Sequence, residues 1–173
     1  MMTPMTGEPR PSDEGVTRLL DPDAINFGDL PAPINALLQQ GVIAYRKDRM
    51  AADALFRQAL AVDPTWLASY FCLYKIHTYQ GHLEDAEAAA LAGLTEAARQ
   101  ACWPADWRAW PVLPAIPDGA GRFALYTLKA LAFIRLRQDD RAAAREILAA
   151  LKRFDPAGVV GWPVIEALAE GLS

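Results

Sequence analysis

Cysteine and histidine are both scarce in this sequence, two of each in 173 residues, and their scarcity removes several classes of protein at once. Cys72 and Cys102 stand far apart and in no paired spacing. A disulfide framework is therefore excluded as the basis of the fold, and reduced thiols in a cytoplasmic setting are expected. His77 and His82 are separated by five positions, which puts them off a shared helix face, and His82 falls at a turn. No metal site and no histidine-based acid–base pair is read from them, and His77 is expected in the core.

A basic excess is missing as well. Residues 1–32 hold six acids (Glu8, Asp13, Glu14, Asp21, Asp23, Asp29) against Arg10 and Arg18, and the remainder is balanced at 15 of each sign. That argues against nucleic acid as a partner, because such binding draws most of its affinity from neutralised phosphates. Apolar runs are cut by charges or prolines well short of the roughly 20 residues that span a bilayer, so no membrane is expected. The first residues lack the apolar stretch of a secretory signal. Enzyme signatures are equally thin. Gly119-x-Gly121-x2-Ala124 has the spacing of a dinucleotide fingerprint, but the proline-broken segment before it is no strand. Ser69 lies in no nucleophile elbow. The chain reads as a non-enzyme without cofactors.

What is present is hydrophobic content, 53% of the chain, enough for one core without metal or disulfides. It is also periodic. Thirty-four residues separate Ala52 from Ala86, Phe56 from Ala90, Ala59 from Gly93 and Leu60 from Leu94. That interval is the length of one helical hairpin, a unit that must stack on a neighbour to bury its apolar face.

Helical spacing begins at Ile34, with Leu37, Leu38, Gly41, Val42 and Tyr45 on one face, and returns in Ala52, Leu55, Phe56, Ala59 and Leu60. Arg46-Lys47-Asp48-Arg49 is the turn between them, and Asp63-Pro64 ends the second helix. A third helix is expected from about Thr65 to Gln80, stopped by Gly81, and a fourth from about Leu83 through Gln100. Residues 1–32 form a Pro-rich acidic tail expected to be flexible. Within it, Ile25, Phe27 and Leu30 are set among acids. Two roles are open to this tail: an inert solubilising segment, or an occupant of a binding groove in cis, acting at high effective concentration.

Tyr70-x2-Leu73, Gly81-x-Leu83, Ala86-x3-Ala90-x2-Gly93 and Ala52-x3-Phe56-x2-Ala59-x4-Pro64 resemble tetratricopeptide repeats. A more diverged third copy has Leu128, Leu131 and Ala132 in its first helix and Ala144-x3-Leu148-x2-Leu151-x4-Pro156 in its second, 58 residues after its predecessor. Trp162, Ile165 and Leu168 are similar to the start of one further first helix, as a cap would be. The resemblance implies an all-α fold over residues 33–172: a right-handed α-solenoid of about three hairpins with a C-terminal capping helix, interrupted by a Trp/Pro-rich insertion at about 101–121.

In such arrays the first helices line the concave face. Helical spacing then aligns Leu38, Val42, Tyr45 and Arg46 in the first copy, Phe71, Lys75 and Tyr79 in the second, and Tyr126, Lys129, Phe133 and Arg137 in the third. These stripes are either core aromatics with solvated bases, or a partner-binding groove that suits an apolar, acidic peptide. Leu38, Val42 and Cys72 depart from the lysine, asparagine and arginine set with which family members clamp a terminal carboxylate. Trp103, Trp107 and Trp110 in the insertion are either a lid over the fourth helix or a docking knob. The function expected is that of an adaptor or specialised chaperone holding a segment of a partner protein; the alternative is a self-assembling scaffold subunit, a homo-oligomer that buries these faces against its own copies.

Overall fold

The computed structural model describes residues 26–171, and the described residues are all-helical, with seven α-helices, one 3-10 turn and no strand. Of the tail, residues 1–25 lie outside the described residues, Ile25 among them. Asn26 to Pro31 form no helix or strand, and the Asn26 side-chain oxygen accepts from the Gly28 N–H at 2.8 Å.

Each helix boundary has a local cause. Helix α1 (Ala32–Ala44) carries Pro33 in its first turn, where a missing N–H costs nothing. Helix α2 (Arg49–Val62) is entered through Asp48, whose carboxylate accepts from the Ala51 N–H at 3.0 Å, and it ends before Pro64. Helix α3 (Leu67–Gln80) stops at Gly81, which turns left-handed at φ 76°. Helix α4 (Leu83–Ala101) follows at once with Glu84 and Asp85 in its first turn. Helix α5 (Gly119–Arg137) leads into α6 (Arg141–Phe154), capped by the Asp140 carboxylate on the Ala143 N–H at 3.1 Å. After Asp155-Pro156 the last helix, α7, covers Trp162–Gly171.

The chain divides at the Asp63-Pro64 break into two compact units, Met1–Val62 and Asp63–Ser173. In the first unit α1 packs on α2, with Ile34, Leu38 and Gly41 buried on one side and Ala52, Phe56 and Ala59 on the other. Leu38, expected on a groove stripe, is fully buried and belongs to this core. The absence of a side chain at Gly41 makes the packing fit, since a methyl group there would overlap the Phe56 ring.

In the second unit each helix packs on the next, and α5 also touches α3 and α7. Alternate helices therefore share one side. The 34-residue pattern finds its physical reason here: Ala86, Ala90 and Gly93 of α4 are buried like Ala52, Phe56 and Ala59 of α2, and Ala144, Leu148 and Leu151 of α6 take the same role. Small residues on the second helix of each pair let the first approach closely.

The insertion folds onto this unit. Trp110 is buried, its ring 5.3 Å from that of Trp103 and 6.1 Å from that of Phe154. Pro117 and Trp103 lie over Gly121, where a side chain would meet them, so this glycine of the fingerprint-like stretch serves packing in α5, while Gly119 takes a left-handed turn at φ 64° as the helix starts. Trp107 opens a 3-10 turn (Trp107–Ala109), half-buried beneath the Arg108 guanidinium at 4.4 Å, and Arg108 reaches Glu146 of α6 at 2.6 Å.

Candidate binding cleft

A cleft of about 360 Å³ lies among α3, α5 and α7. Phe71, Lys75 and Tyr79 occur at intervals of four along α3, so their side chains form one stripe; Tyr126, Lys129 and Phe133, at intervals of three and four, form another along α5. The two stripes face one opening. Its third wall is Val164, Ile165 and Leu168 of α7.

Six of the nine residues expected to bind a partner thus meet in one place. Arg137 does not line the cleft; it lies over the Phe133 ring at 5.8 Å. Tyr45 and Arg46 are in the first unit, Tyr45 under the Arg49 guanidinium at 5.5 Å and Arg46 exposed. Trp110 is 4% exposed, which leaves it no surface for docking, while Trp103 and Trp107 are half-buried. The α7 wall had a signal in the sequence, the spacing of Trp162, Ile165 and Leu168, but read as a cap it gave no reason to assign it ligand contacts.

The cleft combines exposed apolar surface with cations. Tyr79 and Val164 are 66% and 65% exposed. Lys75 Nζ sits 5.6 Å from the Phe71 ring centre and 5.3 Å from that of Tyr79, and it donates to the Tyr79 hydroxyl at 3.2 Å. Lys129 Nζ lies 5.5 Å from the Tyr126 ring. Burial, and then the charge of Lys75, hold the Lys129 amine below its ordinary range. Neither lysine is paired with a carboxylate among the described residues. Aromatic faces take the place of counter-ions.

The floor is rigid. The Tyr74 hydroxyl meets Thr127 Oγ1 at 3.4 Å across α3 and α5, and burial pushes Tyr74 up to about 12, so it stays a neutral hydrogen-bonding group. Cys72 is buried on α3 and its thiol is likewise pushed up to about 12, which makes it a packing residue rather than a nucleophile. Tyr126 is tied to the loop before α7 through the Val159 carbonyl at 3.4 Å.

The two histidines come together although their spacing on a helix separates them. Gly81 reverses the chain, the His82 N–H donates to the His77 carbonyl at 2.9 Å, and the rings lie 5.8 Å apart. Asp85, one turn into α4, joins them: one donor atom from each residue lies within 4.8 Å of the others.

Comparison with known proteins returns no family model, no curated protein and no solved structure that matches this chain.

Proposed function

We propose that the second unit is a stack of tetratricopeptide-like hairpins whose α3–α5–α7 side holds a segment of a partner protein, with adaptor or specialised-chaperone work as the result. One observation carries this reading: two lysines without carboxylate partners, seated on aromatic faces, in an open cleft of mostly apolar lining. An incoming segment with an apolar side chain and a nearby carboxylate satisfies both features, because it covers exposed apolar area and supplies the missing anion. The order of packing supports the hairpin assignment. Consecutive helices pair while alternate helices share a side, the relation a stacked helical-repeat array requires.

The test is selection from a displayed random-peptide library on the whole chain, beside a Tyr79→Ala/Phe133→Ala variant and a Lys75→Met/Lys129→Met variant. Wild type enriches peptides pairing large apolar residues with Asp or Glu. The alanine variant loses the enrichment, and the methionine variant retains apolar preference but loses the acidic one. A wild-type selection with no acidic or apolar bias defeats the proposal. Exposed Val164 and Leu168 on α7 favour the second reading, assembly with copies of the same chain, and sedimentation across a concentration series separates the two. An oligomer that shields Tyr79 from solvent supports assembly; a monomer supports the adaptor.

A further inference from the structure

We infer that His77, His82 and Asp85 form a binding site for a borderline divalent transition-metal ion of the zinc type. These are the only two histidines in the chain, and the fold brings both to one point beside a carboxylate. The α3–α4 turn does this through backbone geometry. Left-handed Gly81 allows the His82 N–H to return to the His77 carbonyl, and Asp85 follows His82 by three residues, onto the same side of the first turn of α4.

The donor set selects the ion. Two imidazoles and one carboxylate suit zinc, cobalt, nickel or copper and are poor company for calcium or magnesium, which prefer all-oxygen shells. Around one tetrahedral ion the donors sit about 3.3 Å from one another. Here the three donor atoms are within 4.8 Å. Closing that gap needs only side-chain rotation, because His82 and Asp85 are exposed while His77, 5% exposed, is held in place. His82 occupies the position before α4 without a side-chain cap hydrogen bond, so its imidazole is not spent on the helix end. Three protein ligands leave a fourth position open to water or to a group from a partner.

The site is separate from the cleft. His77 is two residues from both Lys75 and Tyr79, about 200° round α3 from each. A bound ion would tie α3 to α4 from behind and leave the cleft open.

The experiment is calorimetric titration of the untagged full chain with Zn2+, paired with visible absorption on Co2+ addition. Expected are one ion per chain, the strong visible bands of a four-coordinate cobalt site, and a Zn2+-dependent rise in melting temperature. His82→Ala and Asp85→Asn each weaken Zn2+ binding by at least roughly tenfold and abolish the rise. Both positions are exposed, and circular dichroism of the metal-free variants checks that the helices remain. Tyr79→Ala/Phe133→Ala leaves Zn2+ binding unchanged, which separates this site from the proposed peptide cleft. The inference is overturned by a chain that takes up no Zn2+, or by uptake that His82→Ala and Asp85→Asn leave as in wild type.

Discussion

The Trp110 indole N–H donates to the carbonyl oxygen of Pro104 at 2.8 Å, so the insertion closes on itself around a buried ring. That ring packs between Trp103 and Phe154. Trp110→Ala removes a large buried aromatic and leaves a cavity, and it is expected to lower unfolding free energy by about 3–5 kcal/mol. Trp107, half-buried against the same core and under Arg108, gives up part of its apolar burial and a surface cation–π contact on truncation, about 1–2 kcal/mol. Urea denaturation of the two variants checks this. Equal losses would show that the insertion is not anchored through Trp110.

Asp155 is buried at 1% exposure, and its two carboxylate oxygens accept from the Val159 and Val160 N–H groups, each at 2.9 Å. Its own carbonyl receives the Trp162 indole N–H at 2.7 Å. This is the hinge on which α7 is placed against α5 and α6. Asp155→Ala leaves the buried Val160 N–H without an acceptor and is expected to cost about 1–3 kcal/mol. Amide exchange at residues 159–162 should quicken in the same variant. Asp155→Asn keeps one acceptor oxygen and should fall between the two; exchange at wild-type rates in the alanine variant would rule the hinge out.

Helix positions were legible because the signals are local. Pro64 and Pro156, Gly81 and the apolar spacing of the helices mark starts and stops that depend on neighbours in sequence. The stripes Phe71-Lys75-Tyr79 and Tyr126-Lys129-Phe133 were legible for the same reason, since one helix face needs no tertiary knowledge. That Val164 and Leu168 complete the cleft was not, because it depends on where α7 docks. The histidine spacing points to separate faces because helical arithmetic ends at Gly81, and a left-handed residue turns a spacing that separates side chains into one that joins them. The depth of Leu38 and Trp110 was hidden as well. Periodicity ranks faces of a helix but does not say which apolar residue a partner covers.

Gly41 and Phe56 make a size-matched pair within the first unit. A methyl group at position 41 would run into the Phe56 ring, which is 1% exposed and has little room to retreat. Gly41→Ala is expected to destabilise by about 1–3 kcal/mol through overpacking, even though alanine is the better helix former. Phe56→Leu in the same chain should recover part of the loss. A double-mutant cycle by thermal denaturation measures it, and additive losses would mean that the two positions are not in contact.

Lys129 contributes a pH dependence to the cleft. Burial is the larger cause of its lowered pKa and the Lys75 charge the smaller. Lys75→Met removes only the second, so the Lys129 value should rise towards, without reaching, the ordinary 10.5. The sign for stability follows from proton counts: between the lowered folded value and 10.5 the unfolded chain binds more protons, so this group's contribution to stability increases with pH across that window. Below the window both states are protonated and the cost of burying the charge is constant. Binding of an acidic peptide runs the other way, weakening as pH climbs through the Lys129 range, because the carboxylate loses its cation. Carbon-13 NMR of methylated lysines, titrated in wild type and in Lys75→Met, reads the shift directly. If the Lys129 resonance titrates identically in both, the two ammonium groups do not share a field, and a single acidic group cannot engage them together.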